Sequence, residues 1–244
     1  MKKVIEVELI KLRHSKLLWV IAFVPIFFVV IGLMNFLRYQ DIFTSKGQNV
    51  WQQVYTQSAI FYGMILLPVF VTVIMAILAR IENAQNGWKK ICALPVKRTH
   101  MYVSKLIIGS GFILLNLLVF MFTIIVGGFF ITGNTSIPPN IIYAPLLTFI
   151  SLIPVMVIQF YLSIRFSNIG LPLGVGVAFS IPSLLISNTK FWVLFPWTYP
   201  GRALLNGSSI NFFDMGANMY IIGIIIATIF IVIGINEFNN RDIV

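Results

Sequence analysis

With 244 residues, 59% of them hydrophobic and 10% charged, and a mean hydropathy of +0.95, this chain lies far from the roughly 25% charged composition of soluble domains. Its apolar residues arrive in runs of about 20, the length that a hydrocarbon layer of roughly 30 Å demands, which excludes a soluble globular protein. The net charge of +10 then suits an anionic membrane surface better than nucleic acid, and a single Cys excludes a disulfide framework or a cysteine metal set.

The first element is residues 1–16, MKKVIEVELIKLRHSK. Ile5, Leu9 and Leu12 recur at i, i+4 and i+7 on one helical face, with Glu8, Lys11 and Ser15 opposite. This predicts a short interfacial helix with its lysines toward anionic headgroups; an unstructured basic tail is the alternative. Six apolar runs follow: Leu17 to Leu37, Ala59 to Ala79, Val103 to Ile131, Ile141 to Ile164, Ile169 to Ile186 and Met219 to Ile235. They predict an all-α polytopic membrane protein of six transmembrane helices, a single domain over residues 1–244. The first run ends in NFLRYQD, without a small-residue cleavage pattern, so it reads as a retained span rather than a signal peptide.

Charge placement predicts orientation. With the N-terminus inside, the inner side holds Lys2, Lys3, Lys11, Arg13, Lys16, Arg80, Lys89, Lys90, Lys97, Arg98, Lys105, Arg165 and Arg241. The outer side keeps Arg38, Lys46, Lys190 and Arg202. The positive-inside rule therefore puts both termini in the cytoplasm.

The connection between spans two and three has its own pattern. Arg80 and Glu82 close span two, and Asn83 or Asn86 can cap a new helix. Trp88, Ile91 and Cys92 stand at i, i+3 and i+4, flanked by Lys89 and Lys90, and Pro95 stops the helix by restricting Leu94. Lys97 and Arg98 precede span three, which Thr99 can cap. A helix of about two turns is marginal alone in water, so membrane, neighbouring helices or a partner protein must hold it.

The spans themselves are nearly free of charge, with Glu82 and Glu237 at or beyond their ends, so an ion-coupled carrier is weakly supported. Asn116, Gln159, Ser180 and Ser183 serve either helix packing or substrate contact. Pro145, Pro154, Pro172 and Pro182 predict kinks in spans four and five. Gly170 and Gly174, extended by Gly176, permit close helix approach, as a packing site or a dimer contact.

Between spans five and six, Phe191 to Phe195 is too short to cross, and Pro196, Pro200 and Gly201 stop a long helix. A half-inserted, re-entrant element fits, with Trp192, Trp197 and Tyr199 at headgroup level; an outer cap packed on the bundle is the alternative. Either could touch a ligand, with Arg202 as its fixed positive charge. The sequence has no GxxxxGK[ST] loop, no HExxH pair and no SxxK site, and His14 and His100 make no metal cluster. A conduit or docking subunit is expected, not an enzyme.

These features together resemble the permease subunits of ABC-2 type exporters, especially the subfamily of lantibiotic immunity and bacitracin-type resistance. The resemblance rests on the interfacial N-terminal helix, six spans, ENAQNGWKKICALPVKR followed by YVSKL, and FPWTYP before the last span. It implies that residues 83–94 are a cytoplasmic coupling helix docking into a separate ATPase, with Glu82, Asn86, Trp88, Lys89, Lys90, Ile91, Cys92, Lys97 and Arg98 at or beside the contact. It further implies ATP and Mg bound by that ATPase, in two copies, rather than by this chain. A second permease subunit, identical or homologous, and a bacterial cell membrane also follow. The implied function is removal of an amphipathic peptide from membrane lipids, along a path that could include Asn116, Gln159, Trp197, Tyr199 and Arg202. The competing expectations are export of a lipid or unrelated peptide and a non-transport scaffold for cytoplasmic proteins.

Overall fold

A computed structural model describes residues 2–13, 15–45, 47, 49–83, 97–133, 136–206 and 216–240. Every regular element among them is helical: α1 (Lys2–Arg13), α2 (Leu17–Arg38), α3 (Gln40–Thr44), α4 (Val50–Phe61), α5 (Leu67–Asn83), α6 (Arg98–Thr132), α7 (Pro139–Arg165), α8 (Gly170–Ile186), α9 (Tyr199–Leu205) and α10 (Ala217–Asn240). A π turn, Tyr62–Leu66, joins α4 to α5, and 3-10 turns cover Lys190–Leu194 and Pro196–Thr198.

Of the six runs marked by hydropathy, five form helices long and apolar enough to cross a membrane: Leu17–Arg38, Val50–Glu82, Arg98–Thr132, Pro139–Arg165 and Ala217–Asn240. The chain is thus an all-α, multi-pass membrane protein. The remaining run, Gly170–Ile186, is a 17-residue helix, about 26 Å long at 1.5 Å per residue and shorter than a hydrocarbon layer of about 30 Å. Span two begins earlier than its apolar run suggests. Asn49 caps α4 by accepting from the Trp51 amide at 2.9 Å, which starts the helix nine residues ahead of Ala59.

Helix α7 is the hub, packed against α5, α6, α9 and α10. Its most apolar window is 61% buried, against 28% for α2 and 22% for α10, which places those two at the periphery. Polar contacts gather five helix ends at one end of the bundle. Arg98 donates to the Asn239 carbonyl at 3.0 Å and Arg165 pairs with Glu237 at 3.1 Å, so the start of α6 and the ends of α7 and α10 meet there. The end of α5 and helix α1 join them through the ion pairs described below. We call this the basic end.

At the other end, residues 196–205 are all buried. Proline explains their seat. Pro68 has no N–H for the carbonyl four residues back, Met64, and its ring crowds that turn, so the backbone widens into the π turn. Helix α9 settles on the widened turn. A Cβ on Gly63 would lie 2.8 Å from Leu204 Cδ2, and one on Gly201 would lie 3.1 Å from Met64 Cα, so the two glycines let α9 approach the turn closely. The Tyr55 hydroxyl completes the seat by donating to the Leu204 carbonyl at 2.8 Å.

Candidate functional site

Four charged side chains close a ring at the basic end. Lys105, in the second turn of α6, approaches Glu8 of α1 at 2.5 Å and Glu82 at the end of α5 at 2.9 Å. Lys11 of α1 meets the same carboxylates at 2.9 Å and 2.7 Å. Glu8, Glu82 and Lys105 are 6%, 3% and 1% exposed, whereas the Lys11 side chain retains 32%. Charges so deeply buried persist only when paired and hydrogen-bonded, and here two acids face two bases. Glu82 and Lys105 bracket residues 84–96 in the sequence, so the ring ties α1 to the helices on both sides of that segment.

The ring corrects the expected face of α1. Ile5, Glu8 and Leu12 turn inward, while Leu9 is 47% exposed, and Lys11 points to carboxylates rather than to headgroups alone. The physical reason is Lys105, whose ammonium supplies the counter-charge that lets Glu8 share the buried face. A sequence signal for this existed: Lys105 stands two residues inside the run that begins at Val103, and a lysine at such a depth needs a partner.

Burial opposes ionisation of Glu8, but the Lys105 charge and the hydrogen bonds from Lys105 and Lys11 outweigh it and hold the carboxyl below its ordinary 4.5. Burial also opposes the Lys11 charge, yet bonds to Glu82 and Glu8 hold it above 10.5. A depressed carboxyl contributes stability above its unfolded pKa that is lost as pH falls through the folded value. A raised ammonium contributes stability below its unfolded pKa that is lost as pH rises through the folded value. Docking of α1 should therefore be independent of pH between 4.5 and 10.5 and weaken outside that window. Protease accessibility of α1 across a pH series measures this, and release of α1 near pH 7 would refute it.

Residues 84–96, with Asn86, Trp88, Lys89, Lys90, Ile91 and Cys92, lie outside the described residues, as does nearly all of the helix expected over 83–94. At its borders, Asn83 is the last described residue of α5. Lys97 is extended and exposed, and Arg98 opens α6. Thr99 does not cap α6; it is the second residue of that helix and accepts from the Asn239 side-chain amide at 3.2 Å. Glu82 is directed into the ring rather than outward.

The candidate path residues separate into two kinds. Asn116 is committed to packing, accepting from the Tyr62 hydroxyl and donating to the Ile21 carbonyl at 2.8 Å, which ties α6 to the π turn and to α2. Gln159, equally buried in α7, has no hydrogen-bond partner on either side-chain atom among the described residues. Trp197, Tyr199 and Arg202 are 4%, 0% and 5% exposed and sit inside the protein, where α9 is wedged between α7 and the π turn. The Arg202 guanidinium lies 3.6 Å from the Trp192 ring centroid and donates to the Ser187 carbonyl at 2.6 Å. Of the three glycines, Gly176 alone is pressed against another helix, with Thr72 of α5 inside 3 Å of its Cβ position. Gly174 meets nothing within 4 Å, and Gly170 meets only Asn168.

The described residues thus form a multi-pass helical bundle with a charged ring at one end, and among them no group of three or more His, Cys, Asp or Glu is placed to hold a metal. The chain belongs to the ABC-2 family transporter proteins, whose family model matches residues 4–183. That match runs from α1 into α8 and includes all four ring residues. No curated protein and no solved structure matches the chain significantly. By its family membership it is an ABC-2 type membrane permease subunit.

Proposed function

We propose that this chain is the permease of an ATP-driven exporter in a bacterial cell membrane, with six spans and both termini in the cytoplasm, that removes a lantibiotic or similar amphipathic peptide from the bilayer. The observation that carries the coupling part of this reading is the ring of Glu8, Lys11, Glu82 and Lys105, which joins α1 to the helices entering and leaving residues 84–96. Residues 83–94 are the coupling helix in this reading. Two partner ATPases, which hold ATP and Mg, displace it as they close, and a second permease, identical or homologous, completes the transporter. Because α5 and α6 are bolted to each other and to α1 by buried charges, displacement at either border moves all three together. In α5 the motion runs up to the π turn, where α8 and α9 rest. Gln159, buried and with unmet hydrogen-bonding capacity, is the best candidate for a polar contact along the path.

Trp88 would supply the buried anchor in the ATPase groove, with Lys89, Lys90, Lys97 and Arg98 orienting the contact. Trp88→Ala should abolish recovery of the ATPase with tagged permease while leaving permease abundance unchanged; undiminished co-purification counts against the anchor. Peptide accumulation on cells with and without this subunit tests the substrate. No difference removes peptide export, and a change confined to membrane lipid composition favours a lipid exporter. A scaffold would retain cytoplasmic proteins without supporting ATP-dependent export.

A further inference from the structure

We propose that the crease between α1, α2 and α6 is a binding site for one anionic phospholipid. A groove of about 310 Å3 runs there, lined by Leu9, Ile10, Leu12, Leu18 and Phe112. It is apolar throughout, so it accepts an acyl chain. Contact between two apolar groups gives little selectivity inside a bilayer, where lipid tails are as apolar as leucine. Selectivity must come from charge at the rim. Residues 1–16 carry Lys2, Lys3, Lys11, Arg13 and Lys16 against Glu6 and Glu8, and Glu8 is neutralised inside the ring. Lys16 is exposed two residues ahead of Leu18, and among the described residues no carboxylate lies within ion-pair distance of it. A phosphodiester with a net negative headgroup supplies the missing counter-charge.

The buried ring is what keeps the crease open. It holds the Ile5, Glu8 and Leu12 face of α1 against α6, so Leu9 and Ile10, 47% and 66% exposed, remain on the outward side of the helix. Rotating them inward to close the groove would withdraw Glu8 from Lys105. The crease is therefore a fixed apolar recess beside the exposed Lys16, unlike the uncharged groove between α2 and α6 that Ile26, Leu118 and Phe122 line.

The site is independent of which substrate the transporter moves. The test uses the full chain, purified with whatever partners it retains, exchanged into mild detergent and given equal amounts of phosphatidylglycerol and phosphatidylcholine with the same acyl chains. Native mass spectrometry then counts retained lipid. One phosphatidylglycerol per chain should be held in preference to phosphatidylcholine. Lys16→Gln should lower that retention about fivefold, the effect of losing one surface cation near an anionic headgroup, and Lys16→Arg should restore it. Ile10→Ser should reduce both lipids alike. Equal retention of the two lipids, or unchanged phosphatidylglycerol retention in Lys16→Gln, overturns the proposal. So does displacement of the lipid by an amphipathic cationic peptide but not by excess phosphatidylglycerol, which would make the crease a peptide site. A thermal midpoint for Lys16→Gln equal to that of the parent chain confirms that the loss is one of binding and not of folding; a lowered midpoint that Lys16→Arg fails to restore assigns Lys16 to the fold and overturns the proposal.

Discussion

Lys105→Met should destabilise the folded chain by about 3–5 kcal/mol, the cost of removing one partner from a buried ion pair. The substitution keeps the apolar length of the side chain, so little of this loss comes from packing. It comes from the two carboxylates that Lys105 holds at 2.5 Å and 2.9 Å, which are left with Lys11, itself 32% exposed, as their shared counter-charge. A second substitution isolates the electrostatic origin. Adding Glu8→Gln leaves Lys11 and Glu82 as a single balanced pair, and the double variant should recover a large part of the loss. Denaturant unfolding in micelles, analysed as a double-mutant cycle, measures both. A single variant within about 1 kcal/mol of the parent, the range of exposed pairs, would show that the ring is solvated and carries no coupling.

Gly176→Ala should cost about 1–3 kcal/mol, the penalty of overpacking a close helix contact. A Cβ there would lie 2.2 Å from Thr72 Oγ1 and 2.3 Å from Thr72 Cγ2. Thr72 is poorly placed to yield, because its hydroxyl donates to the Pro68 carbonyl at 3.0 Å beside the π turn. Helix α8 must therefore move off α5. Gly174→Ala, two positions earlier, meets nothing within 4 Å and should be neutral or stabilising by up to about 1 kcal/mol from helix propensity alone. Thermal unfolding of the two variants in the same detergent separates them. A loss at Gly174 as large as at Gly176 would place Gly174 against a second copy of the chain rather than against lipid.

Most of the span assignment was legible because hydrocarbon imposes a simple requirement on sequence, a long apolar run. Five such runs became long helices, while Gly170–Ile186 remained a 17-residue helix. Helix faces were harder to read. The face of α1 depended on Glu8, and an acid in a basic amphipathic segment reads as surface unless its partner is known. That partner, Lys105, lies 97 residues away in sequence, beyond the reach of any local periodicity. The same limit applied to FPWTYP, whose Trp197 and Tyr199 are buried, Trp197 against Phe179 of α8 and Tyr199 against Trp192. Gly170, Gly174 and Gly176 were indistinguishable as small residues, and only the position of Thr72 separates them.

By itself the sequence determined that this protein lives in a membrane, that its charges lie mostly outside the long apolar runs, and that it carries no GxxxxGK[ST] phosphate-binding loop. Those properties depend on composition and on distances along the chain, which local physics controls. The tertiary structure decided which polar side chains are available and which are consumed: those of Asn116, Arg202 and Glu82 are bonded within the fold, whereas that of Gln159 has no hydrogen-bond partner among the described residues. It also decided that α1 is bolted to the bundle, because a buried charge is stable only where folding brings its counter-charge within bonding distance.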